Sequence, residues 1–244
     1  MGLELYLDLL SQPCRAVYIF ARRNRIPFEL RPVDLLKGQH ITQEFFRVNR
    51  LQKVPVLKDG DFILTESSAI LMYLSVKYQI EAQWYPPDLQ TRARVHEYLG
   101  WHADSIRGTF GVPLWTQVLG PLIGAHVPKE KVERNRAAMD RVLQLLEDKF
   151  LRDRPFLASH QVTLADLLAL EELMQPVAFG YDLFEGRPRL AAWREQVEVF
   201  LGAELCKEAH GVAFSLQEQM ASKTLPVPPP EAIPNMLRRI SNIP

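Results

Sequence analysis

The chain has 244 residues, enough for one large or two ordinary domains, and its 47% hydrophobic content can fill a complete core. Its 29 basic residues balance 29 acidic ones, so it carries no electrostatic footprint for nucleic acid or for an anionic membrane surface. Two cysteines, Cys14 and Cys206, are too few for a disulfide framework.

No apolar run approaches the roughly 18 residues that span a bilayer. The first residues lack the basic start and long apolar stretch of a signal peptide. The expectation is a cytoplasmic chain with no membrane and no nucleic-acid partner. No internal repeat of solenoid length is present.

In chain order, Leu3, Leu5 and Leu7 alternate with Glu4, Tyr6 and Asp8, the period of a strand. Pro13 sits where a helix can start, and Ala16, Val17, Ile19 and Phe20 continue it. Residues 28–33 read as a second strand. Val54–Leu57 and Phe62–Leu64 flank Lys58-Asp59-Gly60-Asp61, a turn signal that predicts a hairpin. Ile70, Leu71, Tyr73 and Leu74 then recur at helical spacing. Trp84-Tyr85-Pro86-Pro87-Asp88 reads as a linker whose Asp88 caps the next helix.

Beyond the linker no convincing strand occurs. Residues 89–119, 129–151, 188–201 and 203–222 read as helices, with a kink expected at Pro113. Thr163-Leu164-Ala165-Asp166 has capping-box spacing, with Asp in the Glu position. Pro226, Pro228, Pro229 and Pro230 make a stiff extended segment. A short amphipathic helix then closes the chain, with Met236, Leu237, Ile240 and Ile243 expected on one face. The fold class is therefore an α/β thioredoxin-like N-terminal domain followed by an all-α C-terminal domain. The boundaries are 1–79, a linker at 80–88, and 89–244.

The strand running into Ser11-Gln12-Pro13-Cys14 is where thioredoxin-like folds place a redox C-x-x-C, because a helix N-terminus stabilises a thiolate. With serine first, dithiol exchange is unavailable within the motif. A hydroxyl remains that can donate to another molecule's thiolate, or simply cap the helix. Cys14 reads first as a small buried residue. Proline after Lys53-Val54 removes a ladder donor, and a cis Val54–Pro55 bond would turn the Val54 amide and carbonyl outward. Glu66-Ser67 opens a helix whose free N–H groups suit a carboxylate, with Glu66 as counter-charge for an amine. Asp104, Arg107, Gly111 and Trp115 are spaced to line one helix face: Gly111 leaves room and Trp115 gives an apolar wall.

Together, Ser11, Lys53-Val54-Pro55 and Thr65-Glu66-Ser67-Ser68-Ala69-Ile70 resemble, in order and spacing, the N-terminal domain of cytosolic glutathione transferases. The similarity continues through His96-Glu97-Tyr98-Leu99-Gly100-Trp101-His102 and Thr163-Leu164-Ala165-Asp166, over essentially the whole chain. Serine in place of tyrosine near the N-terminus, and the long C-terminal tail, resemble the theta class.

The resemblance implies glutathione as co-substrate, no metal, a homodimer, and small hydrophobic electrophiles: arylalkyl halides, arylmethyl sulfate esters and organic hydroperoxides. It implies that Ser11 stabilises the thiolate. Val54, before Pro55, would pair with the cysteinyl unit, and Glu66 and Ser67 would hold the γ-glutamyl end. His40 and Lys53 would lie near the glycine carboxylate, and Asp104, from the neighbouring subunit, near the γ-glutamyl amine. Arg107 would neutralise an anionic leaving group. Cys14, Arg25 and Ile41, the last in place of a basic residue, depart from the expected pattern. The rival readings are a monothiol reductase using Cys14 and a non-catalytic binding module; intact Ser11 and Glu66 count against the module.

Overall fold

The computed structural model describes residues 2–243. Strands β1 (Leu3–Leu7), β2 (Glu29–Pro32), β3 (Val56–Asp59) and β4 (Phe62–Thr65) form one sheet in the order β2-β1-β3-β4. β1 pairs parallel with β2 and antiparallel with β3, and β3 pairs antiparallel with β4. Leu3, Leu5 and Leu7 are buried while Glu4 and Tyr6 are half-buried, as the alternation requires. Gly60, at φ 62°, supplies the left-handed conformation in the hairpin turn.

α1 (Gln12–Arg23) and α3 (Ser67–Lys77) pack together beside the sheet. α1 ends in a Schellman motif: Ile26 N–H reaches the Ala21 carbonyl and Arg25 N–H the Arg22 carbonyl. Arg25 takes the left-handed position at φ 54°, where glycine would relax the backbone. The loosely helical stretch between β2 and β3 resolves into a 3₁₀ turn, Gln39–Ile41, and α2 (Gln43–Val48).

Residues 80–88 are anchored at Trp84. Trp84 is 1% exposed and lies edge-on to Phe20 and to Phe200, with ring centroids 5.1 and 5.3 Å away. Its carbonyl accepts from the Leu164 N–H at 2.9 Å. This tryptophan thus touches both parts of the chain. Asp88 accepts from the Thr91 N–H at 2.8 Å and caps α4, as expected.

The first long helix of the sequence reading is a composite rod ending at Leu122. It comprises α4 (Leu89–Trp101), α5 (Arg107–Phe110), α6 (Val112–Leu114) and α7 (Gly120–Leu122), with π turns at His102–Ile106 and Trp115–Leu119. The π turns and the interruption at Gly111, two residues before Pro113, replace the expected single proline kink. α8 (Lys129–Leu145) also ends in a π turn, Leu146–Leu151. α9 (Leu164–Val177), α10 (Pro188–Leu201) and α11 (Ala203–Ala221) come next. Among the described residues no helix is long and apolar enough to cross a membrane.

α9 is the axis of this part and packs on α1. Its capping box is present, and Asp166 also accepts from Leu157 N–H and from Trp193 Nε1, at 2.8 and 2.9 Å. The final helix, α12 (Ile233–Ser241), turns back against the rod, with Ile240 and Ile243 buried beside Val112 and Val127. Leu237, expected on that face, is 45% exposed. The inward stripe is Ile233 and Met236, half-buried, with Ile240 and Ile243, buried, at the spacing of three and four that keeps residues on one side.

His102 lies buried in the first π turn, its Nδ1 3.1 Å from the Tyr98 hydroxyl. Burial, with Arg107 adding, pushes the imidazole down to about 3. The unfolded chain takes up this proton below about pH 6.5 and the folded chain does not, so stability is full above that pH and declines as pH falls towards 3. One such proton is worth about 1.4 kcal/mol per pH unit. Replacing His102 with Gln, which still accepts from Tyr98, should remove that slope between about pH 6 and pH 4. Denaturant unfolding at the two pH values checks it; an unchanged slope would show that His102 is not the group being held neutral.

Candidate active site

Strand register brings the predicted residues to one end of the sheet. The C-terminal ends of β1 and β2 lie together, since Leu7 pairs with Pro32. The start of β3 lies there too, because Val56 pairs with both Tyr6 and Thr65. Ser11, Val54–Pro55 and Glu66–Ser67 all lie directly beside those strand ends in the chain.

Ser11 is the N-cap residue of α1, but its side chain makes no capping hydrogen bond. It is 8% exposed. The simple capping role is therefore not what its hydroxyl does; the group lies beside the first N–H groups of a 12-residue helix and close to the Cys14 thiol. Asp8 shapes the turn before it, accepting from Leu10 N–H at 2.9 Å and from Leu35 N–H at 2.8 Å. Arg15 supports the same turn from below through the Leu9 and Leu10 carbonyls, at 3.1 and 3.2 Å.

The Val54–Pro55 bond is cis. β3 is an interior strand, so Pro55 is not an edge-strand proline; it precedes the first paired residue. Glu66 is exposed and sits at φ 66°, ψ 116° as the residue before α3. A non-glycine residue there typically costs about 1–3 kcal/mol and is characteristic of binding sites. Ser67 is half-buried at the first position of α3. Lys53 is exposed, and its carbonyl accepts from Asn49 Nδ2 at 2.8 Å. His40 is half-buried with Nδ1 lacking any hydrogen-bond partner. Burial, with Arg239 adding, lowers its pKa.

On the rod lie the four residues expected on one face, Asp104, Arg107, Gly111 and Trp115. Asp104 is exposed on the first π turn and forms no ion pair among the described residues. Asp104 lies within the π turn, one turn before Arg107, and the Trp115–Leu119 π turn begins at Trp115. Arg107 is not free: its Nη1 donates to Glu172 of α9, Oε1 at 3.1 Å and Oε2 at 3.3 Å. Burial pushes the Glu172 carboxyl up, and Arg107 opposes that. Gly111 faces both Arg107 and Gln12: a Cβ there would lie 4.0 Å from Arg107 Nη1 and 3.6 Å from Gln12 Nε2.

α12 closes this side. The Arg239 guanidinium lies over the Trp115 ring, 4.9 Å from its centroid. Burial and the nearby Arg107 lower its pKa. The proline segment touches the other bank, since a Cβ on Gly38 would come 3.0 Å from Pro229 Cγ. Sequence reasoning missed Arg239, Glu172 and Gln12. Glu171-Glu172 inside the apolar run of α9 was an available signal, because charges at buried helix positions need partners. A separate groove of about 630 Å³ between α10 and α11, lined by Met174, Val199, Cys206 and Phe214, includes none of the proposed site residues. No cluster of three metal-ligating side chains occurs among the described residues.

Cys14 is fully buried, and burial pushes its thiol up to about 12, against smaller opposing effects from the Asp8 backbone and the Ser11 hydroxyl. Its burial marks a packing residue rather than a nucleophile and counts against the monothiol-reductase reading.

A four-stranded mixed sheet flanked by α1 and α3, followed by a helical domain, is the fold class that the sequence predicts. The glutathione S-transferase N-terminal domain model matches residues 6–76, and the C-terminal domain model matches residues 113–199. Human glutathione S-transferase theta-2 is 75% identical over 244 residues, covering 100% of both chains. Two solved human structures superpose with a TM-score of 0.98 at 74% identity over 100% of each chain. One is glutathione transferase theta-2 in complex with glutathione and an unknown ligand. The other is a theta-class glutathione transferase in complex with the glutathione conjugate of 1-menaphthyl sulfate. The chain belongs to the glutathione S-transferase family, in its theta class.

Alkylation with iodoacetamide at mildly alkaline pH should leave Cys14 unmodified over about an hour in the folded protein and label it fully after unfolding. Mass spectrometry of the peptide containing it reads the result. Rapid labelling in the folded state would mean that the thiol is accessible and ionisable, and would restore the reductase reading.

Proposed function

We propose that this chain conjugates glutathione to small hydrophobic electrophiles, with Ser11 donating a hydrogen bond that stabilises the glutathione thiolate. The observation that supports this best is the Ser11 hydroxyl itself, which has no capping bond at the N-terminus of α1. It lies at the sheet end shared with Val54–Pro55 and Glu66–Ser67.

In this reading residues 1–79 bind glutathione and residues 89–244 supply the electrophile pocket. Val54 pairs its backbone with the cysteinyl unit, and Glu66 and Ser67 hold the γ-glutamyl end. His40 and Lys53 approach the glycine carboxylate. Asp104 completes the γ-glutamyl subsite of a neighbouring subunit in a homodimer. Exposed apolar residues on β4, α3 and α4, among them Phe62, Val76 and Leu89, favour such an assembly. The setting is cytoplasmic detoxification, and no metal takes part.

The chemistry needs only modest help. A free thiol titrates near ~8.5, and lowering that by about two units is worth roughly 2.7 kcal/mol. A hydrogen bond to a charged acceptor supplies about 1.5–3 kcal/mol and a helix N-terminus about 0.3–1 kcal/mol. The thiolate sulfur then attacks an electrophilic carbon. The new C–S bond forms as the C–halogen or C–O bond breaks, and halide or sulfate departs with the electron pair. A hydroperoxide is attacked on oxygen: the O–O bond breaks, an alcohol leaves after taking up a proton, and glutathione sulfenic acid forms, which a second glutathione reduces to glutathione disulfide and water. Arg107, with one guanidinium nitrogen tied to Glu172, keeps donors for an anionic leaving group. The bound 1-menaphthyl sulfate conjugate in the human theta-class relative supports arylmethyl sulfates as one substrate class.

Ser11→Ala should fold and bind glutathione normally while the pKa of the bound thiol rises by about two units, with neutral-pH turnover down about ten- to a hundredfold. Thiolate absorbance across a pH titration, run on both proteins, is the measurement. An unshifted titration together with unchanged turnover would rule Ser11 out as the activating group.

A further inference from the structure

We infer that His210 of α11 is a positioning residue for thiolate formation: its imidazole N–H holds the Glu171 carboxylate where Arg15 needs it in order to fix the turn that carries Ser11. The inference rests on the conjugation reading above and deepens it. His210 is 6% exposed, and its Nε2 lies 3.0 Å from both carboxylate oxygens of Glu171. A carboxylate only accepts, so Nε2 is the nitrogen that carries the proton. Oε2 also receives Arg15 Nε at 2.9 Å. Among the described residues Oε1 receives nothing but His210.

The consequence runs through three contacts. Burial pushes the Glu171 carboxyl up, yet His210, and after it Arg15, hold it below its ordinary value. Without the imidazole, Oε1 is a buried oxygen with no donor, and uptake of a proton relieves it. A neutral Glu171 leaves Arg15, itself fully buried, without its counter-charge. The next glutamate along α9, Glu172, is already engaged by Arg107. The guanidinium then loses its reason to sit beneath the Leu9 and Leu10 carbonyls, which it now holds at 3.1 and 3.2 Å. Ser11 follows Leu10 directly. A hydroxyl-to-thiolate bond weakens steeply with distance and angle, so a shifted turn raises the thiol pKa.

The same change leaves the rest of the site standing. Val54, Glu66 and Ser67 lie on other elements and do not touch this network. α11 is docked independently of the imidazole: Cys206, Ala209, Ala213 and Leu216 are buried, and the Tyr18 hydroxyl of α1 donates to Glu208 at 2.5 Å. His210 therefore acts on the activation of glutathione and not on its capture.

The test is a thiol titration and a pH–rate profile on His210 variants of the full chain. His210→Leu should raise the pKa of bound glutathione by about one unit and lower kcat at neutral pH about tenfold. The KM for glutathione should stay near the wild-type value. Turnover should recover as the pH rises past the new pKa, because the thiolate then forms without help; a general packing defect would depress the rate at every pH. His210→Gln, whose amide can donate to Glu171 in place of the imidazole, should restore most of the neutral-pH rate. If His210→Leu does not fold, His210→Asn stays polar but is too short to reach Glu171, and should show the same raised pKa. In a Ser11→Ala background, His210→Leu should add no further shift, since its effect passes through Ser11. A wild-type thiol pKa in His210→Leu, equal losses in His210→Leu and His210→Gln, or the same added shift with and without Ser11 would each overturn the assignment. Failure of the conjugation reading itself would appear separately, in Ser11→Ala alone.

Discussion

Arg15 and Glu171 meet at 2.9 Å with neither side chain exposed to water, and the site is arranged around that contact. A buried guanidinium is tolerable only when its donors are met. Here all five are: Nε to Glu171, Nη1 to the carbonyls of Leu9 and Leu10, and Nη2 to the Glu171 carbonyl and Gln175 Oε1. His210 of α11 closes the other side of the carboxylate at 3.0 Å. Burial alone would push Glu171 up, but His210 and Arg15 hold its pKa below the ordinary value, so the pair stays ionised. Removing one partner from such a pair typically costs about 3–5 kcal/mol.

What this ion pair secures is a relation between domains. Arg15 belongs to α1 and Glu171 to α9, and the two carbonyls it holds are those of the turn that delivers Ser11. The serine is thus referenced to the helical domain as firmly as to its own sheet. The same helix, α9, presents Glu172 one residue further on to fix Arg107 on the opposite bank. Two neighbouring glutamates on one helix therefore set the two walls of the cleft. α12 packs back against the rod, with the Arg239 guanidinium on the Trp115 ring.

Much of this is legible in the sequence where local physics decides. Alternating leucines, the Asp-Gly turn, Asp88 and the Thr163–Asp166 box each specify their element through short-range bonding. The strand-to-helix junction at Ser11 and the position of Glu66 before α3 are legible for the same reason. The rest depends on long-range packing. Nothing local marks the π turns at His102–Ile106 and Trp115–Leu119. Leu237 reads as apolar and stays exposed, because the rod beneath α12 covers only one stripe. Arg239 lies 132 positions beyond Arg107 in the numbering, and only the return of α12 brings them together. Cys14 reads as packing from the sequence and is packing in the fold, whereas Gln12, in the same motif, draws no attention because an unpaired amide is visible only in three dimensions.

The claim that the buried pair holds the Ser11 turn is open to one direct measurement: amide hydrogen exchange at Leu10 and Ser11 in Glu171→Gln against the unaltered protein. Both amides are bonded within the turn, to the Asp8 side chain and backbone. If the ion pair is the clamp, their exchange should quicken by about tenfold or more while amides of β1 keep their protection. Unchanged exchange at Leu10 and Ser11, with the substitution otherwise destabilising the protein, would show that the turn stands without the clamp.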